Sequence, residues 1–246
     1  MLPGPAPVLF GQADVADVLL VCLHAGEKNF HTLFYGFFIL TYIFIIFFIS
    51  IVYKRFNPNN KEVLRKIIHI GIGPLIPLAK FLDIDQTSAL CFTGLVTLLT
   101  FINYQSKLFP TIEDVDRKSY GTLFYCLSLF ILIYLYWEKD PTSLIAGFFI
   151  MTFGDGFAAL IGKNFKSKSW IFLNQKKSLF GTTTMFITSL IVVFGLSYIQ
   201  KYTFNINFFT VASISTMLEQ FSIFGIDNFI VPISAAFCFN FFITGL

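Results

Sequence analysis

The chain has 246 residues, of which 56% are hydrophobic and only 13% are charged, and its mean hydropathy is +0.75. Because a soluble domain carries about 25% charged residues, this composition excludes an ordinary soluble domain and indicates an all-α, polytopic protein of the lipid bilayer. The net charge of +3 is small and gives no indication of a nucleic-acid partner.

The first 27 residues differ in composition from the rest of the chain. They are rich in Pro, Ala, Gly and Val, whereas the remainder is rich in Phe, Ile, Asn and Lys. No basic segment precedes the apolar stretch 15–23, so a secretory signal is not predicted. We therefore treat residues 1–27 as a leader outside the fold, and residues 28–246 as a single integral-membrane domain.

Apolar runs recur along the chain, and crossing a bilayer as a helix requires about 20 such residues. They predict a transmembrane helical bundle of about seven or eight spans, the second and seventh being the weakest. The predicted spans are 33–53, 62–81, 87–104, 119–137, 141–161, 179–199, 204–218 and 229–246. The second contains Gly73 and Pro74, which predict a kink. Residues 162–178 are predicted to form a polar loop.

The basic residues are distributed unevenly between the two sides that this topology defines. Of the 17 Lys and Arg residues, thirteen fall in the segments 54–66, 105–118 and 162–178, and four fall on the other side. The positive-inside rule places the lysine-rich side in the cytoplasm or its equivalent. The candidate residues below all fall on that side, which suits a water-soluble anionic substrate meeting a lipid.

Asp155 is the only charged residue in the fifth predicted span, and glycines flank it on both sides. A carboxylate inside a membrane helix is costly and by default marks a functional site. Gly154 and Gly156 leave room for a ligand or for another backbone. The residue types leave three roles open for Asp155: a Mg²⁺ ligand, a general base, or a packing partner for a neighbouring helix.

A segment rich in lysines and hydroxyls follows that span. Its first lysines are typical of a loop that faces anionic lipids, whereas the second pair directly precedes glycine and threonine residues and fits phosphate contact better. The candidates for phosphate contact are Lys176, Lys177, Ser178, Gly181 and Thr182. The segment is not a Walker A loop, because the GxxxxGK[ST] pattern is absent.

Three further places on the same side carry candidate residues. Arg65 and His69 are four residues apart and therefore share one helix face. Arg117 lies in an acidic loop, and Glu219 and Asp227 flank the short loop before the last span. Each has an ordinary alternative, as a structural histidine or a solvated loop, and only the shared side of the membrane links them.

The candidate residues form an ordered set of motifs. The segments are Arg65-Lys66-x-x-His69, Glu113-Asp114-x-x-Arg117-x-x-Tyr120-Gly121-Thr122, Gly154-Asp155-Gly156-x-Ala158-Ala159-x-Ile161-Gly162, Lys177-Ser178-x-x-Gly181-Thr182, and Glu219 with Asp227-Asn228-x-x-x-Pro232. This set resembles the polyprenol kinase family, which includes phytol kinase, dolichol kinase and CTP-dependent diacylglycerol kinase. The resemblance covers about residues 61–232 and is closest to the short phytol and farnesol kinases of bacteria and plastids. One departure is Ile226, where the family often has an additional Asp.

The resemblance implies phosphoryl transfer from CTP to a lipid alcohol, with phytol the expected substrate, at the cytoplasmic face. Asp155 would hold Mg²⁺ together with Glu219 or Asp227, and Asp155 or His69 would accept the proton of the lipid hydroxyl. The nucleotide and its phosphates would be bound by Lys176, Lys177, Ser178, Gly181, Thr182, Arg117 and Arg65. The sequence does not separate metal ligand from base among the acids.

Two other functions fit parts of the pattern. A CDP-diacylglycerol synthase also uses CTP and acidic membrane motifs, and its product would be a CDP-lipid rather than a lipid monophosphate. A transporter is the less favoured alternative, because transporter sites lie near the midplane within repeated, broken helices. Here the polar residues gather at one face, and no internal repeat is visible.

Overall fold

The computed structural model describes residues 15–58, 60–106, 120–173 and 175–245. These residues are helical apart from their loops and one short hairpin. The α-helices are α1 (Val15–Phe56), α2 (Lys61–Ile72), α3 (Leu75–Phe81), α4 (Gln86–Ser106), α5 (Gly121–Tyr136), α6 (Pro141–Phe149), α7 (Gly156–Asn164), α8 (Leu179–Ile199), α9 (Asn207–Glu219) and α10 (Asp227–Phe239). The hairpin pairs β1 (Ser169–Phe172) with β2 (Gln175–Ser178) in antiparallel register.

Five of the described helical segments are long and apolar enough to cross a membrane. They are Phe34–Phe56, Gln86–Ser106, Pro141–Asn164, Leu179–Ile199 and Asp227–Thr244. The shorter helices α5 and α9 have 16 and 13 residues. The prediction of an all-α membrane bundle is therefore confirmed, while seven or eight spans is an approximate count.

The segment Pro141–Asn164 forms the centre of the bundle. It consists of α6, a π-helical turn at Ile150–Asp155, and α7. Its Leu144, Phe148 and Met151 are completely buried, as expected of a helix that is apolar on all sides. At Gly147 an added Cβ would lie 2.3 Å from the carbonyl oxygen of Pro232, so the absence of a side chain permits close packing of α6 on α10.

A buried carboxylate, Asp140, directly precedes this central segment. Asp140 caps α6 by accepting a hydrogen bond from the backbone N–H of Ser143 at 3.1 Å. It also accepts hydrogen bonds from Asn240 Nδ2 at 2.9 Å and Thr244 Oγ1 at 3.0 Å. These partners belong to the turn after α10, so Asp140 ties the start of α6 to the end of the chain.

Three local features differ from, or refine, the sequence prediction. The predicted kink is confirmed, since α2 ends at Ile72 and α3 begins after Pro74. The prediction of a polar loop over 162–178 was wrong, because this segment contains the β1–β2 hairpin. Neither strand, SWIF or QKKS, alternates apolar and polar residues, so the local pattern indicated no strand. Helix α1 begins at Val15, inside the predicted leader, and residues 1–14 lie outside the described residues.

Candidate functional site

A cavity of about 500 Å³ opens at one end of the bundle. The N-terminal ends of α2, α5, α8 and α10 meet there with α7, the C-terminal end of α9 and the hairpin. Segments that are more than 150 residues apart in the chain therefore contribute to one space. Its predicted site residues are Arg65, His69, Asp155, Lys176, Lys177, Ser178, Gly181, Thr182, Glu219 and Asp227.

Three carboxylates form the acidic centre of this cavity. Asp155, Glu219 and Asp227 each offer an oxygen atom, and these atoms all lie within 4.8 Å of one another. Each of the three residues is only 7% exposed, and Asp227 Oδ1 has no hydrogen-bond partner. Buried like charges at this separation require cations to balance them. Carboxylate oxygens are the ligands that Mg²⁺ takes in proteins, so this donor set fits the predicted Mg²⁺ site.

Two lysines compensate part of this negative charge. The ammonium group of Lys66 forms an ion pair with Asp155, and Lys66 is only 4% exposed. Lys177 forms an ion pair with Glu219 and also donates a hydrogen bond to the Glu219 backbone carbonyl at 2.8 Å. The cavity thus alternates anionic and cationic groups, as a site for a metal-bound polyphosphate requires.

His69 lies beside the same carboxylate. Its Nε2 is 3.6 Å from Asp155 Oδ2 and 3.4 Å from the carbonyl oxygen of Met151. The imidazole packs on Tyr125, with ring centroids 4.4 Å apart, and the Tyr125 hydroxyl donates to the His69 carbonyl at 3.2 Å. Tyr125 therefore fixes the histidine on α2 against α5, at the level of the carboxylates.

The hairpin and the start of α8 form the lysine-rich wall of the cavity. Ser178 is the N-cap of α8, where its hydroxyl accepts a hydrogen bond from the Gly181 N–H at 3.1 Å. Successive side chains of β2 alternate between faces; Lys177 reaches Glu219, whereas Lys176 is exposed at the cavity mouth. The other N–H groups of this first turn are also paired, Leu179 with the Lys168 carbonyl at 2.9 Å and Phe180 with Ser167 Oγ at 3.2 Å. The wall therefore offers an anion its lysine side chains rather than free backbone N–H groups.

Two amide side chains, those of Gln220 and Asn228, link the helices that carry the acidic centre. Gln220 Nε2 donates to Glu219 Oε2 at 3.0 Å and to Thr182 Oγ1 at 3.3 Å. Asn228 Nδ2 donates to the Gly121 carbonyl at 2.9 Å. These contacts join α8, α9, α10 and α5 around the cavity, so the position of each carboxylate depends on several helices.

The structure brings together every predicted site residue that it describes. Arg117 and the acidic residues around it lie outside the described residues. Arg65 lines the cavity and pairs with Glu62 at 2.8 Å. Ile226, which replaces an acid at the departure noted above, is 39% exposed and does not line the cavity, and the three-carboxylate group forms without it.

Sequence reasoning gave no role to Lys66 or Gln220, although both contact the acidic centre. Lys66 lies three residues before His69, a spacing that places both on one helix face. This signal was present but was obscured, because Lys66 stands among several basic residues that the positive-inside rule explains equally well. No comparable signal identifies Gln220, whose role depends on how α8 and α9 pack.

Sequence comparison finds relatives that cover most of the chain. A phytol kinase of Synechocystis sp. is 34% identical over 200 residues, which is 80% of this chain and 86% of the relative. Probable chloroplastic phytol kinases of Oryza sativa subsp. japonica and Glycine max are each 28% identical, over 165 and 136 residues. The matched region spans about half the length of these two plant proteins, 51% and 45%. No protein-family model and no solved structure matches the chain.

Proposed function

Because this chain belongs to the phytol kinase family, we propose that it is a membrane-embedded kinase that phosphorylates an isoprenoid alcohol, phytol being the expected substrate, with CTP as the donor. The observation that carries the proposal is the group formed by Asp155, Glu219 and Asp227, buried in one cavity with lysines around it. Enzymes catalyse phosphoryl transfer mainly by positioning the reactants and neutralising phosphate charge, for which metal ligands and cationic side chains are suited.

The nucleotide would bind at the lysine-rich wall. Lys177 would contact the phosphates from inside the cavity, and Lys176 would attract them at the cavity mouth. Asp155, Glu219 and Asp227 would hold Mg²⁺, which when bound would neutralise part of the phosphate charge. The donor's identity as CTP rests on the family resemblance, since these contacts recognise phosphate and not a base.

The lipid hydroxyl would meet the γ-phosphate beside Asp155. Its oxygen forms a bond to the γ-phosphorus while the bond from that phosphorus to the bridging oxygen breaks, releasing CDP and a lipid monophosphate. The hydroxyl proton passes to Asp155 or to His69, whose imidazole Nε2 lies 3.6 Å from the carboxylate. The side chain of Tyr125 holds this imidazole in place during the transfer.

We further propose that the protein is multi-pass and that the cavity opens on the cytoplasmic face or its equivalent. The support is the excess of Lys and Arg in the segments 54–66, 105–118 and 162–178. A water-soluble nucleotide then reaches the site from the solvent, while the alcohol reaches it from the bilayer.

The test is a transfer assay with purified protein, Mg²⁺ and radiolabelled nucleotide. Phytol, geranylgeraniol, farnesol, dolichol and diacylglycerol are offered separately, each with CTP and with ATP. We expect a labelled monophosphate of phytol, formed faster with CTP. A CDP-lipid product would instead identify a cytidylyltransferase, and equal turnover with ATP would remove the claim for CTP alone.

A further inference from the structure

One part of the cavity lining is charged or polar, and another part is apolar. Lys163, Gln175 and Lys176 lie at the mouth, and the Lys66–Asp155 ion pair lies below them. Among the described residues that line the cavity, the apolar side chains larger than alanine are all on α2 and α5. They are Ile68, Ile72, Tyr125 and Cys126.

These apolar residues lie further from the helix N-termini than Lys66 on α2 and Gly121 on α5. Ile72 is six residues beyond Lys66, which is about 9 Å along a helix at 1.5 Å per residue. Cys126 lies similarly beyond Gly121, the first residue of α5. The cavity therefore has the polarity of an amphiphile, with the head-group position at Asp155 and the tail position between α2 and α5.

Two pairs of residues, one on α2 and one on α5, border the apolar part of the cavity. Ile68 and Ile72 on α2 are spaced i, i+4, as are Thr122 and Cys126 on α5, so each pair lies along one helix face. All four are partly exposed, whereas Tyr125, one position further round α5, is buried. The cavity is thus closed towards the core by the tyrosine ring and open towards the outside of the bundle.

The neighbouring helices leave this opening uncovered in the part of the chain that the structure describes. Helix α2 packs on α1 and α7, while α5 packs on α4 and α10, and neither α2 with α5 nor α1 with α4 packs extensively. The Tyr42 hydroxyl bonds the Gly71 carbonyl at 2.8 Å, which holds α1 to the side of α2. Helices α2 and α5 meet through His69 and Tyr125, and the space beside this contact, a cleft between the α1–α2 and α4–α5 pairs, adjoins the cavity.

We propose that the lipid alcohol enters sideways from the bilayer between α2 and α5, and that its isoprenoid tail lies against Ile68, Ile72, Thr122 and Cys126. This inference rests on the proposed function and adds to it the path and the tail-binding residues. An aliphatic chain in this cleft keeps its apolar surface out of water while its hydroxyl reaches Asp155. Side-chain size at Cys126 then controls which chains fit.

Two native cysteines provide a matched pair of variants for the test. Cys126→Phe adds a ring inside the cleft, whereas Cys91→Phe adds the same ring on the exposed face of α4, away from the cavity. We expect Cys126→Phe to lower kcat/KM for phytol about tenfold, since one ill-fitting group in an apolar pocket has effects of this order. The KM of Cys126→Phe for CTP should equal that of the unmodified protein. Cys91→Phe should equal the unmodified protein in both constants.

The short alcohol geraniol separates a blocked tail path from general damage. Its efficiency should fall less than that of phytol in Cys126→Phe, because less of it occupies the cleft. The proposed path would be overturned if kcat/KM fell equally for both alcohols, or fell equally in both variants. It would also be overturned if Cys126→Phe left kcat/KM for phytol unchanged. A wild-type protein that phosphorylates no alcohol would instead contradict the proposed function.

Cross-linking of the unmodified protein gives a second measurement that does not depend on a variant folding. A phytol analogue with a diazirine on its tail is photolysed with the protein in vesicles, and the tryptic peptides are analysed by mass spectrometry. We expect label in peptides 67–80 and 119–139, which contain the pairs Ile68/Ile72 and Thr122/Cys126. Label confined to peptides 178–201 and 202–246 would place the tail elsewhere and overturn the inference.

Discussion

Two buried carboxylates, Asp140 and Asp155, lie at the start of the central helical segment and within it, and their surroundings differ. Asp140 has polar partners that are neutral side chains and a backbone N–H, which bind it to the end of the chain. Asp155 faces Lys66 and two further carboxylates in an open cavity. Burying several carboxylates close together raises the free energy of their charged forms. This arrangement therefore favours a role in binding a cation.

The first prediction compares Asp155→Asn with Asp140→Asn. An amide at position 155 can still form hydrogen bonds but cannot balance a cation, so we expect folded protein in the membrane and a rate lowered by about 10²–10⁴. Asp140→Asn should reduce the thermal stability and leave the turnover of the folded fraction nearly unchanged. Turnover near wild type in Asp155→Asn would contradict its catalytic assignment.

The second prediction concerns the buried charge of Lys66. Removing one partner of a buried ion pair destabilises a protein by about 3–5 kcal/mol, so Lys66→Met should lower the melting temperature measured without Mg²⁺. Adding Mg²⁺ should restore much of this loss, because the metal would replace the missing cation beside Asp155.

The control for Lys66→Met is the double variant Lys66→Met/Asp155→Asn. It has no uncompensated carboxylate at this pair, so it should be more stable than the single variant and respond less to Mg²⁺. If Mg²⁺ stabilises both variants equally, the metal does not bind at Asp155.

At the scale of elements, the sequence predicted the apolar helices well and the hairpin not at all. Helix α8 has the predicted bounds, because an apolar run begins directly after the Ser178 cap and continues to Ile199. The break between α2 and α3 follows from Gly73 and Pro74. The β1–β2 hairpin was missed because its two short strands are stabilised by pairing and by the contact of Lys177 with Glu219, and neither contact appears in a local pattern.

The same reasoning explains which parts of the site were predictable. Asp155 was identified because a charge in an apolar helix is conspicuous in a sequence. The grouping of Glu219 and Asp227 with Asp155 was predicted only through the family resemblance and a shared side of the membrane. Their separation of less than 5 Å depends on how α9 and α10 pack on the central segment, which no spacing in the sequence encodes.

The third prediction tests the hairpin as the wall that binds phosphate. Lys177→Ala should raise the KM for CTP about tenfold or more, since hydrogen bonds to charged groups contribute about 1.5–3 kcal/mol. Because the change leaves Glu219 without its ion-pair partner, it should also lower the melting temperature. The effect on kcat should be smaller if the contact is equal in the ground and transition states. Both constants are measured across a titration of CTP at saturating Mg²⁺.

The matched control for the hairpin is Lys168→Ala. This lysine precedes β1, is exposed and does not line the cavity, so its loss should leave both constants unchanged. An equal increase of KM in the two variants would indicate only a general attraction of the basic surface for the nucleotide.

At the scale of the whole molecule, the cavity and Asp140 lie at opposite ends of the central segment. Residues Pro141 to Asn164 span 24 residues, or about 36 Å at 1.5 Å per residue, which exceeds the bilayer core of about 30 Å. One end of the bundle carries the lysine-rich hairpin, and the other carries only isolated basic residues such as Lys139 and Lys201. From this asymmetry the positive-inside rule predicts that the hairpin end faces the cytoplasm or its equivalent.

The fourth prediction tests that orientation with single cysteines in a background without the native ones. Lys168→Cys and Phe224→Cys lie at the cavity end, and Lys139→Cys and Lys201→Cys lie at the other end; all four positions are exposed. In sealed vesicles of known orientation, a membrane-impermeant maleimide should label the first pair only from the cytoplasmic side and the second pair only from the opposite side. Labelling of the cavity pair from opposite sides would contradict a single site at one face. Labelling of all four from one side would contradict a central segment that crosses the bilayer.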